Sequence, residues 1–464
     1  MNTARIDAGS YRDPSGRVYL LGDRVFRTVM PIVADDFEYV QSTGLIDELV
    51  ADGLTIPDQF VDPAVLGDAG AGARYVIEHP RLPFISYPYE WPFPALRAAA
   101  LLQLDIYLRA LEHGVTLSDA SAYNIQFQGT RPIFIDRLSF RRYRPGEFWT
   151  GHRQFCEQFV NPLLLRALVG VPYNIWYRGS LEGVSTEALN RLLPLKSKLS
   201  WNVLTHVVMQ ASFQKSTTRS SCAELSSRKM NFPPAAFERM LKGLREWISK
   251  LKPARTGKTA WQRYDQEHSY SANEARAKKD LISEFAAATK PQMLWDIGCN
   301  TGEFAKTALD AGAEFVVGFD FDHGALDRAY DFAREHGLNF LPLFLDAANP
   351  TPSQGWAESE RAGLMSRASG DAMIALAVVH HLAISRNIPL EQVIDWLVDL
   401  APQGVIEFVQ KSDPMVQELL RLREDIFERY TEEAFVRHLE SRAKIMKIAT
   451  VSAADRRLFW YDRN

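Results

Sequence analysis

Two carboxylates and two glycines in the second half of the chain have the types and spacing of a ligand-binding turn. Asp296, Gly298 and Gly302 lie at the end of and just after the apolar run 293–297, and the apolar spacing that follows predicts a helix. Glycine at 298 permits a sharp turn and a close approach of a ligand to the backbone, because it has no Cβ atom. Asp320 ends the next apolar run, about 20 positions after the turn, where a carboxylate that binds ribose hydroxyls is expected. The pattern predicts a cofactor that contains a nucleoside.

The spacing of the glycines separates the candidate cofactors. A dinucleotide site would have glycine at 298, 300 and 303, but this chain has Asn300 and Glu303. The missing cradle for a pyrophosphate argues against NAD. The pattern Asp-x-Gly-x-x-x-Gly instead resembles the first motif of class I S-adenosylmethionine-dependent methyltransferases. Later stretches resemble the second, third and fourth motifs of that family, in order: Gly318-Phe319-Asp320, Leu343 to Ala347, and Asp371 to Leu382.

This resemblance implies S-adenosyl-L-methionine as the cofactor and a set of residues that would hold it. In the family, the acid of the third motif contacts the adenine amine, a role that falls to Asp346 here. The resemblance assigns no metal to this site. The implied cofactor-binding residues are Asp296, Gly298, Cys299, Asn300, Gly302, Asp320, Phe321, Asp346, Ala347 and Ala377.

His380 and His381 follow the fourth predicted strand, at the sheet edge where a methyl acceptor would lie. Methyl transfer is an in-line displacement, so alignment and proximity supply most of the rate. A base is needed only for a hydroxyl or another weakly acidic acceptor, and a histidine with an ordinary pKa of about 6.5 suits that task. We predict these two as the catalytic candidates; the alternative is that they pack into the loop. An Asn-Pro-Pro-Tyr signature, typical of amine methylation, is absent after this strand, which favours an oxygen acceptor.

A second constellation lies in the first half of the chain. Asp119, Asn124 and Asp136, the last at the end of an apolar run, resemble the catalytic loop and the metal-binding aspartate of the protein-kinase-like fold. The resemblance implies that Asp119 orients a hydroxyl nucleophile as the base, while Asn124 and Asp136 hold magnesium. The departures are large, because no glycine-rich phosphate loop is present and no lysine occurs before Lys196. We therefore predict a degenerate kinase-like module that has lost phosphotransfer; the alternative is that these are turn and cap residues.

The elements that must position these residues divide the chain into two modules. Strand and helix patterns alternate regularly from residue 261 onward, which predicts an α/β, Rossmann-like domain with a mostly parallel sheet of seven strands. Before it we predict an α+β kinase-like module over 1–250, with a small β-rich lobe at about 1–93 and a helical lobe at about 94–250. Residues 251–260 form the predicted linker, and 213–234 have a similar polar composition.

The composition of the chain indicates which partners and which cellular compartment to expect. The chain has 464 residues, and 53 basic against 57 acidic residues give a net charge of −4, which argues against nucleic acid as a partner. No apolar run has the length of a membrane span, and the N-terminus has no signal-like segment. Three cysteines at spacings that fit neither a disulfide framework nor a zinc site predict a reducing, cytoplasmic setting.

The predicted function is methyl transfer from S-adenosylmethionine to a small-molecule or glycan-type acceptor, with the first module aiding recognition of the acceptor. The stretch 406–430 is similar to bacterial methyltransferases associated with nodulation factors and cell-surface glycans. Two alternatives stay open: a bifunctional kinase–methyltransferase, and a non-catalytic scaffold that retains both folds. The sequence leaves the acceptor atom and the oligomeric state open.

Overall fold

The computed structural model describes residues 3–147, 149–209, 211, 233–254, 272–421, 424–451 and 456–463. The chain divides into two compact units. The first contains Met1–Thr256 together with Ser353–Arg361, and the second contains Gly257–Pro352 together with Ala362–Asn464. No helix within the described ranges is long and apolar enough to cross a membrane.

The first unit begins with an antiparallel sheet of five strands in the order β1-β2-β3-β5-β4. The turn at Gly22 joins β2 to β3 as a hairpin, as the alternating pattern around it predicts, and Val18 pairs with Arg27. Two short antiparallel pairs, β6–β9 and β7–β8, follow further along the chain. The strands are β1 Arg5–Ile6, β2 Val18–Leu21, β3 Arg24–Val29, β4 Gln59–Val61, β5 Tyr75–His79, β6 Val115–Leu117, β7 Ile125–Gln128, β8 Arg131–Phe134 and β9 Phe140–Arg142.

A long buried helix organises the rest of the first unit. The apolar face of α3 predicts this helix, and Gly114, with φ +66°, lies just beyond its end. Most of the described chain after β9 is helical, including three π-helical segments at Cys156–Val160, Leu165–Val169 and Leu204–Met209. The α-helices are α1 Ala34–Ser42, α2 Leu45–Ala51, α3 Phe93–Glu112, α4 His152–Phe155, α5 Asn161–Leu164, α6 Asn174–Gly179, α7 Thr186–Leu192, α8 Leu195–Lys198, α9 Trp201–Val203 and α10 Pro234–Ser249.

The second unit is built on a sheet of seven strands in the order β12-β11-β10-β13-β14-β16-β15. Neighbours from β12 to β14 are parallel, whereas β16 is antiparallel to both β14 and β15. The predicted α/β domain with a mostly parallel seven-stranded sheet is therefore confirmed. The strands are β10 Met293–Ile297, β11 Phe315–Asp320, β12 Phe340–Phe344, β13 Ala372–Ala375, β14 Gln403–Val409, β15 Lys444–Thr450 and β16 Arg456–Asp462.

Helices and apolar side chains cover this sheet. All five residues of β10 are buried, as expected for a central parallel strand, and Leu294 lies in the main core cluster with Phe285 and Phe340. A π-helical segment, His381–Ser385, lies between β13 and the next helix. The helices are α11 Ala272–Thr289, α12 Glu303–Asp310, α13 His323–Glu335, α14 Leu390–Leu400, α15 Pro414–Leu420 and α16 Glu432–Arg442.

The division of the chain differs from the predicted one at one segment. Ser353–Arg361 groups with the first unit, although it follows β12 in sequence. Its Glu360 carboxylate accepts hydrogen bonds from Arg12 Nε at 3.0 Å and Nη2 at 2.9 Å, which explains the grouping. An ion pair between Arg12 and Glu360 cannot be predicted from sequence periodicity, because the two residues are almost 350 positions apart. The boundaries near 250 and 261 stay predictions, because residues 255–271 and most of 213–234 lie outside the described residues.

Candidate functional site

The glycine turn after β10 is fixed to the neighbouring strand β11. The backbone N–H groups of Gly298 and Cys299 both donate to the Phe319 carbonyl, at 2.8 and 3.0 Å. The turn then closes on itself, because Gly302 N donates to Cys299 O at 2.8 Å, and α12 starts directly after Gly302. The motif read from the sequence is thus a rigid bend at the carboxyl edge of the sheet, where ligands bind in doubly wound folds.

Both glycines of the turn occupy positions that no other residue fits well. Gly298 has φ +82°, and a Cβ there would lie 2.6 Å from Val378 Cγ2. Gly302 has φ +87°, and its Cβ would lie 2.5 Å from the Phe340 ring. The sequence pattern predicts that glycine is needed at 298 for the close approach of a ligand. The structure adds a second cause, namely close packing against the segment after β13.

Asp320 links the end of β11 to the glycine turn. Its Oδ2 accepts a hydrogen bond from Asn300 N at 2.9 Å, and its Oδ1 accepts one from Asp322 N at 2.9 Å. Each carboxylate oxygen can accept a second hydrogen bond. The side chain is therefore fixed in place and still has acceptor capacity for ligand hydroxyls. Asn300 itself has φ +46°, one of the uncommon non-glycine residues in the left-handed region.

Asp296 lies on β10, one strand away from Asp320, and its side chain is almost fully buried. Its Oδ2 has no hydrogen-bond partner in the described structure. Burial, and to a smaller extent the charge of Asp320, raises the pKa of Asp296 to about 8. Burial likewise raises the pKa of Asp320 to about 6, against the backbone hydrogen bonds that lower it. Two desolvated carboxylates fit a cationic ligand, because positive charge would stabilise both ionised forms.

S-adenosylmethionine carries a positive sulfonium and an ammonium group, together with ribose hydroxyls. These groups match the orphaned oxygen of Asp296 and the remaining acceptor capacity of Asp320. The residues that the chain presents here therefore fit this cofactor.

The other predicted cofactor residues lie at the ends of neighbouring strands. Asp346, just after β12, accepts from Ala348 N at 3.1 Å and lies 3.4 Å from an Arg386 guanidinium nitrogen. Ala347 follows it and is half-buried. Phe321, just after β11, is 39% exposed. The structure thus places these residues along one edge of the sheet with Asp296 and Asp320, and their roles toward the cofactor stay predictions.

A buried ion pair, which the sequence pattern does not predict, supports this edge of the sheet. Lys278 on α11 donates to Glu407 on β14 at 2.8 Å, and both side chains are fully buried. Glu407 also accepts from Ala377 N at 2.8 Å, where the backbone has φ +55°. Glu407 therefore fixes the turn after β13. The one available signal was an acid inside the apolar strand 405–409.

The two predicted catalytic histidines differ in burial. His380 is 1% exposed, and burial, with smaller effects of His381, Arg456 and Lys278, lowers its pKa well below the usual value. His381 is half-buried, and burial lowers its pKa to about 4. The two rings are adjacent, with centroids 4.1 Å apart. Both side chains are uncharged at neutral pH, and the burial difference favours His381 as the group that an acceptor could reach.

The structure also brings together the candidates in the first unit. Asn124 Nδ2 donates to Asp119 Oδ1 at 3.1 Å and to Asp136 Oδ2 at 3.2 Å. Burial and the nearby Asp136 raise the pKa of the Asp119 carboxyl. Arg27 on β3 forms an ion pair with Asp136 at 3.0 Å. Asp136 also caps the turn after β8 by accepting from Leu138 N at 3.2 Å. This geometry serves both the metal-binding prediction and the alternative of turn and cap residues.

Comparisons with known proteins identify the relatives of the chain. It is 43% identical over 458 residues to the nodulation protein NoeA of Rhizobium meliloti, covering 98% of this chain and 96% of NoeA. A shorter stretch of 127 residues is 29% identical to the ribosomal protein L11 methyltransferase of Photobacterium profundum. That match covers 24% of this chain and 43% of the enzyme. No protein-family model matches.

A solved structure is also similar to part of the chain. The magnesium protoporphyrin IX methyltransferase of Synechocystis PCC 6803, with bound S-adenosylmethionine, matches 48% of this chain and 96% of its own, with a TM-score of 0.31 and 16% identity.

The enzyme class rests on features described above together with the sequence match to a methyltransferase. Three of these features lie together in the second unit: the strand order with its antiparallel β16, the glycine turn and the paired carboxylates. The sequence match is to a methyltransferase. The predicted enzyme class and cofactor are confirmed: the protein is an S-adenosylmethionine-dependent methyltransferase. With 43% identity across nearly the whole of both chains, it belongs to the family of the nodulation protein NoeA.

Proposed function

We propose that the second unit methylates a hydroxyl oxygen of a small-molecule or glycan-type acceptor, and that the first unit recognises this acceptor. The observation that carries the proposal is His381, a half-buried and uncharged imidazole next to the carboxyl edge of the sheet. S-adenosylmethionine supplies the methyl group from its positively charged sulfur. An amine acceptor needs no base once it is deprotonated, whereas a hydroxyl gains from one.

Different residues of the chain would bind the cofactor, hold the shape of the acceptor side and accept the proton. Asp296 and Asp320 would hold the cofactor through its positive charge and its ribose hydroxyls. Glu407 fixes the turn at Ala377 through a 2.8 Å hydrogen bond, so the acceptor side of the site keeps its shape. His381, a few residues later, would take the hydroxyl proton at a ring nitrogen. Its lowered pKa, about 4, keeps the ring unprotonated over the physiological range but makes it a weaker base than an imidazole with the ordinary pKa of about 6.5.

A paired assay tests the acceptor chemistry. The full chain is incubated with methyl-labelled S-adenosylmethionine and with matched glycan acceptors that differ only in hydroxyl or amine at one position, and the product is identified by mass spectrometry. We expect O-methylation. His381→Ala should lower kcat by roughly 10²–10⁴-fold with unchanged cofactor affinity, whereas the exposed His336 just after α13 provides a matched control, His336→Ala, without effect. Preferential N-methylation, or full activity of His381→Ala, contradicts the proposal.

Nucleotide binding by the first unit is a second candidate function. The observation in its favour is Asn124, which joins the carboxylates of Asp119 and Asp136. Arg27 pairs with Asp136 and carries a guanidinium where magnesium would need the carboxylate, which favours a lost activity. We therefore expect no rise in melting temperature with millimolar ATP and magnesium. A rise that disappears in Asp136→Ala would establish the bifunctional alternative.

A further inference from the structure

Three potential metal ligands converge in the helical part of the first unit. They are His152, Cys156 and His206, whose ligand atoms all lie within 4.8 Å of one another. The spacing of the three cysteines alone predicts no zinc site. Cysteine spacing does not reveal this group, because two of the three ligands are histidines and one of them is fifty residues away from Cys156 in the chain.

The local structure explains why these side chains meet. His152 and Cys156 are four positions apart and continuous helix joins α4 to the π-helical segment that starts at Cys156, so both lie on one face. His206 comes from the π-helical segment Leu204–Met209. Cys156 and His206 are buried, and His152 is partly buried. The indole of Trp149 packs on His152 at 5.3 Å between centroids, and that of Trp247 stacks on His206 at 6.1 Å.

Two of the three distances between ligand atoms are close to those around a shared cation, and the third, between Cys156 and His206, is within 4.8 Å. His152 Nε2 lies 3.1 Å from His206 Nδ1 and 3.6 Å from Cys156 Sγ. Zinc binds imidazole nitrogen at about 2.0–2.1 Å and thiolate at about 2.3 Å with tetrahedral angles, so two nitrogens lie ~3.4 Å apart and a nitrogen and a sulfur ~3.6 Å apart. The separation of the two ring nitrogens is a few tenths of an ångström short of this value, and the nitrogen–sulfur separation agrees with it.

Hydrogen bonding alone accounts poorly for the arrangement. His152 Nε2 takes part in both contacts, yet a ring nitrogen has either one hydrogen or one lone pair in the ring plane. It cannot make two good hydrogen bonds at once. A cation at the centre of the three atoms would satisfy one lone pair from each of them.

We propose that His152 Nε2, His206 Nδ1 and Cys156 Sγ form a binding site for a transition-metal ion, of which Zn²⁺ is the expected occupant. Two imidazoles and one thiolate suit zinc, which takes four ligands in a tetrahedron and leaves the fourth position here to a water molecule. The ion would join the helix of His152 and Cys156 to the segment of His206. The site lies within the first unit and is independent of methyl transfer.

Metal analysis of the full chain tests this assignment. The protein, purified without chelators and dialysed against zinc, is analysed by inductively coupled plasma mass spectrometry; we expect one zinc per chain. Replacement by Co²⁺ should give the strong visible bands of a tetrahedral ion and a thiolate-to-cobalt charge-transfer band. That spectrum is recorded on the unaltered protein, so it does not depend on any variant folding.

Variants then identify the ligands. Cys156→Ser should remove the charge-transfer band, and His206→Gln should lower zinc affinity at least tenfold. Cys299→Ser, which alters the other buried cysteine in the described chain, serves as the matched control and should keep metal and spectrum. Absence of bound metal with an octahedral or absent cobalt spectrum would overturn the proposal, as would a charge-transfer band that survives in Cys156→Ser and disappears in Cys299→Ser.

Discussion

The carboxylates of Asp296 and Asp320 are both buried, and the charge of Asp320 further disfavours ionisation of Asp296; a cationic cofactor would offset both effects. Below the raised pKa values, about 8 and about 6, each group binds a proton that the ligand must displace. For the unliganded fold the sign is clear, because a carboxyl whose pKa is raised contributes stability at low pH and loses it as the pH rises through that pKa. Cofactor binding, which needs the ionised forms, has the opposite trend.

We therefore predict that affinity for S-adenosylmethionine increases from pH 5 to pH 8, as measured by isothermal titration calorimetry. Asp320→Asn should weaken binding at pH 8 by roughly 1.5–3 kcal/mol, the value of a hydrogen bond to a charged group, and should flatten the pH profile. Asp310→Asn, on the exposed side of α12, removes the same charge and should keep both affinity and profile. A profile that is independent of pH in the unaltered protein would contradict the role of these carboxylates.

The conformation of a turn can be predicted from the sequence where the residues that fix it are consecutive. The turn from Asp296 to Gly302 is encoded within seven consecutive positions, so glycine and carboxylate spacing predicted it. Glu407 could not be assigned in the same way, because its partners Lys278 and Ala377 come from a distant helix and another strand's exit turn. The same reason applies to His206. Contacts across the sheet or between helices depend on how distant segments are aligned, and a short sequence pattern does not predict that alignment.

At the scale of the elements, two glycines with positive φ can be compared to test the role of packing in the glycine turn. Gly298 and Gly337 both have positive φ, but a Cβ would collide with Val378 at 298 and meet open space at 337. Gly337→Ala should cost about 1–2 kcal/mol for the left-handed backbone alone. Gly298→Ala should cost more and should lower cofactor affinity at least tenfold. Chemical denaturation and calorimetry measure both, and equal effects of the two substitutions would show that packing against Val378 does not matter.

The buried ion pair between Lys278 on α11 and Glu407 on β14 allows a second test, of how much this contact stabilises the second unit. Lys278→Met leaves the buried Glu407 with only the more distant Arg456 guanidinium, 3.9 Å away, which should cost up to about 3–5 kcal/mol of unfolding free energy. Replacing both residues, Lys278→Met with Glu407→Leu, should restore part of that loss. Lys279→Met is the matched control, because its ion pair with Glu303 is at the surface and contributes less than about 1 kcal/mol. Similar losses for Lys278→Met and Lys279→Met would contradict a buried role.

At the scale of the whole molecule, the described cofactor-site residues all belong to the second unit. A fragment from residue 257 to the C-terminus should therefore fold and bind S-adenosylmethionine with affinity within about threefold of the full chain. It should lose activity on the native acceptor if the first unit recognises that acceptor. Binding by calorimetry and turnover by mass spectrometry measure these outcomes.

The fragment carries Ser353–Arg361 without the partners that this segment has in the first unit. Gln354 and Arg361 pair as a bridge, so their backbones are close enough for a short turn to replace 355–360. A fragment with this replacement is the control for misfolding of the segment. Failure of both fragments to bind the cofactor would show that the units are not separable.

The order of strands in the second unit has a consequence for synthesis of the chain on the ribosome. Strands β10, β11 and β12 are consecutive in sequence and adjacent in the sheet, so this half can pair as soon as it emerges. The other edge of β10 stays unpaired until β13 has been synthesised, and β13 starts nearly thirty residues after β12 ends. At roughly 5–20 residues per second, a buried, apolar strand stands unpaired on one side for some seconds. During that interval the nascent protein exposes an open sheet edge, the kind of surface on which chaperones act and from which aggregates grow.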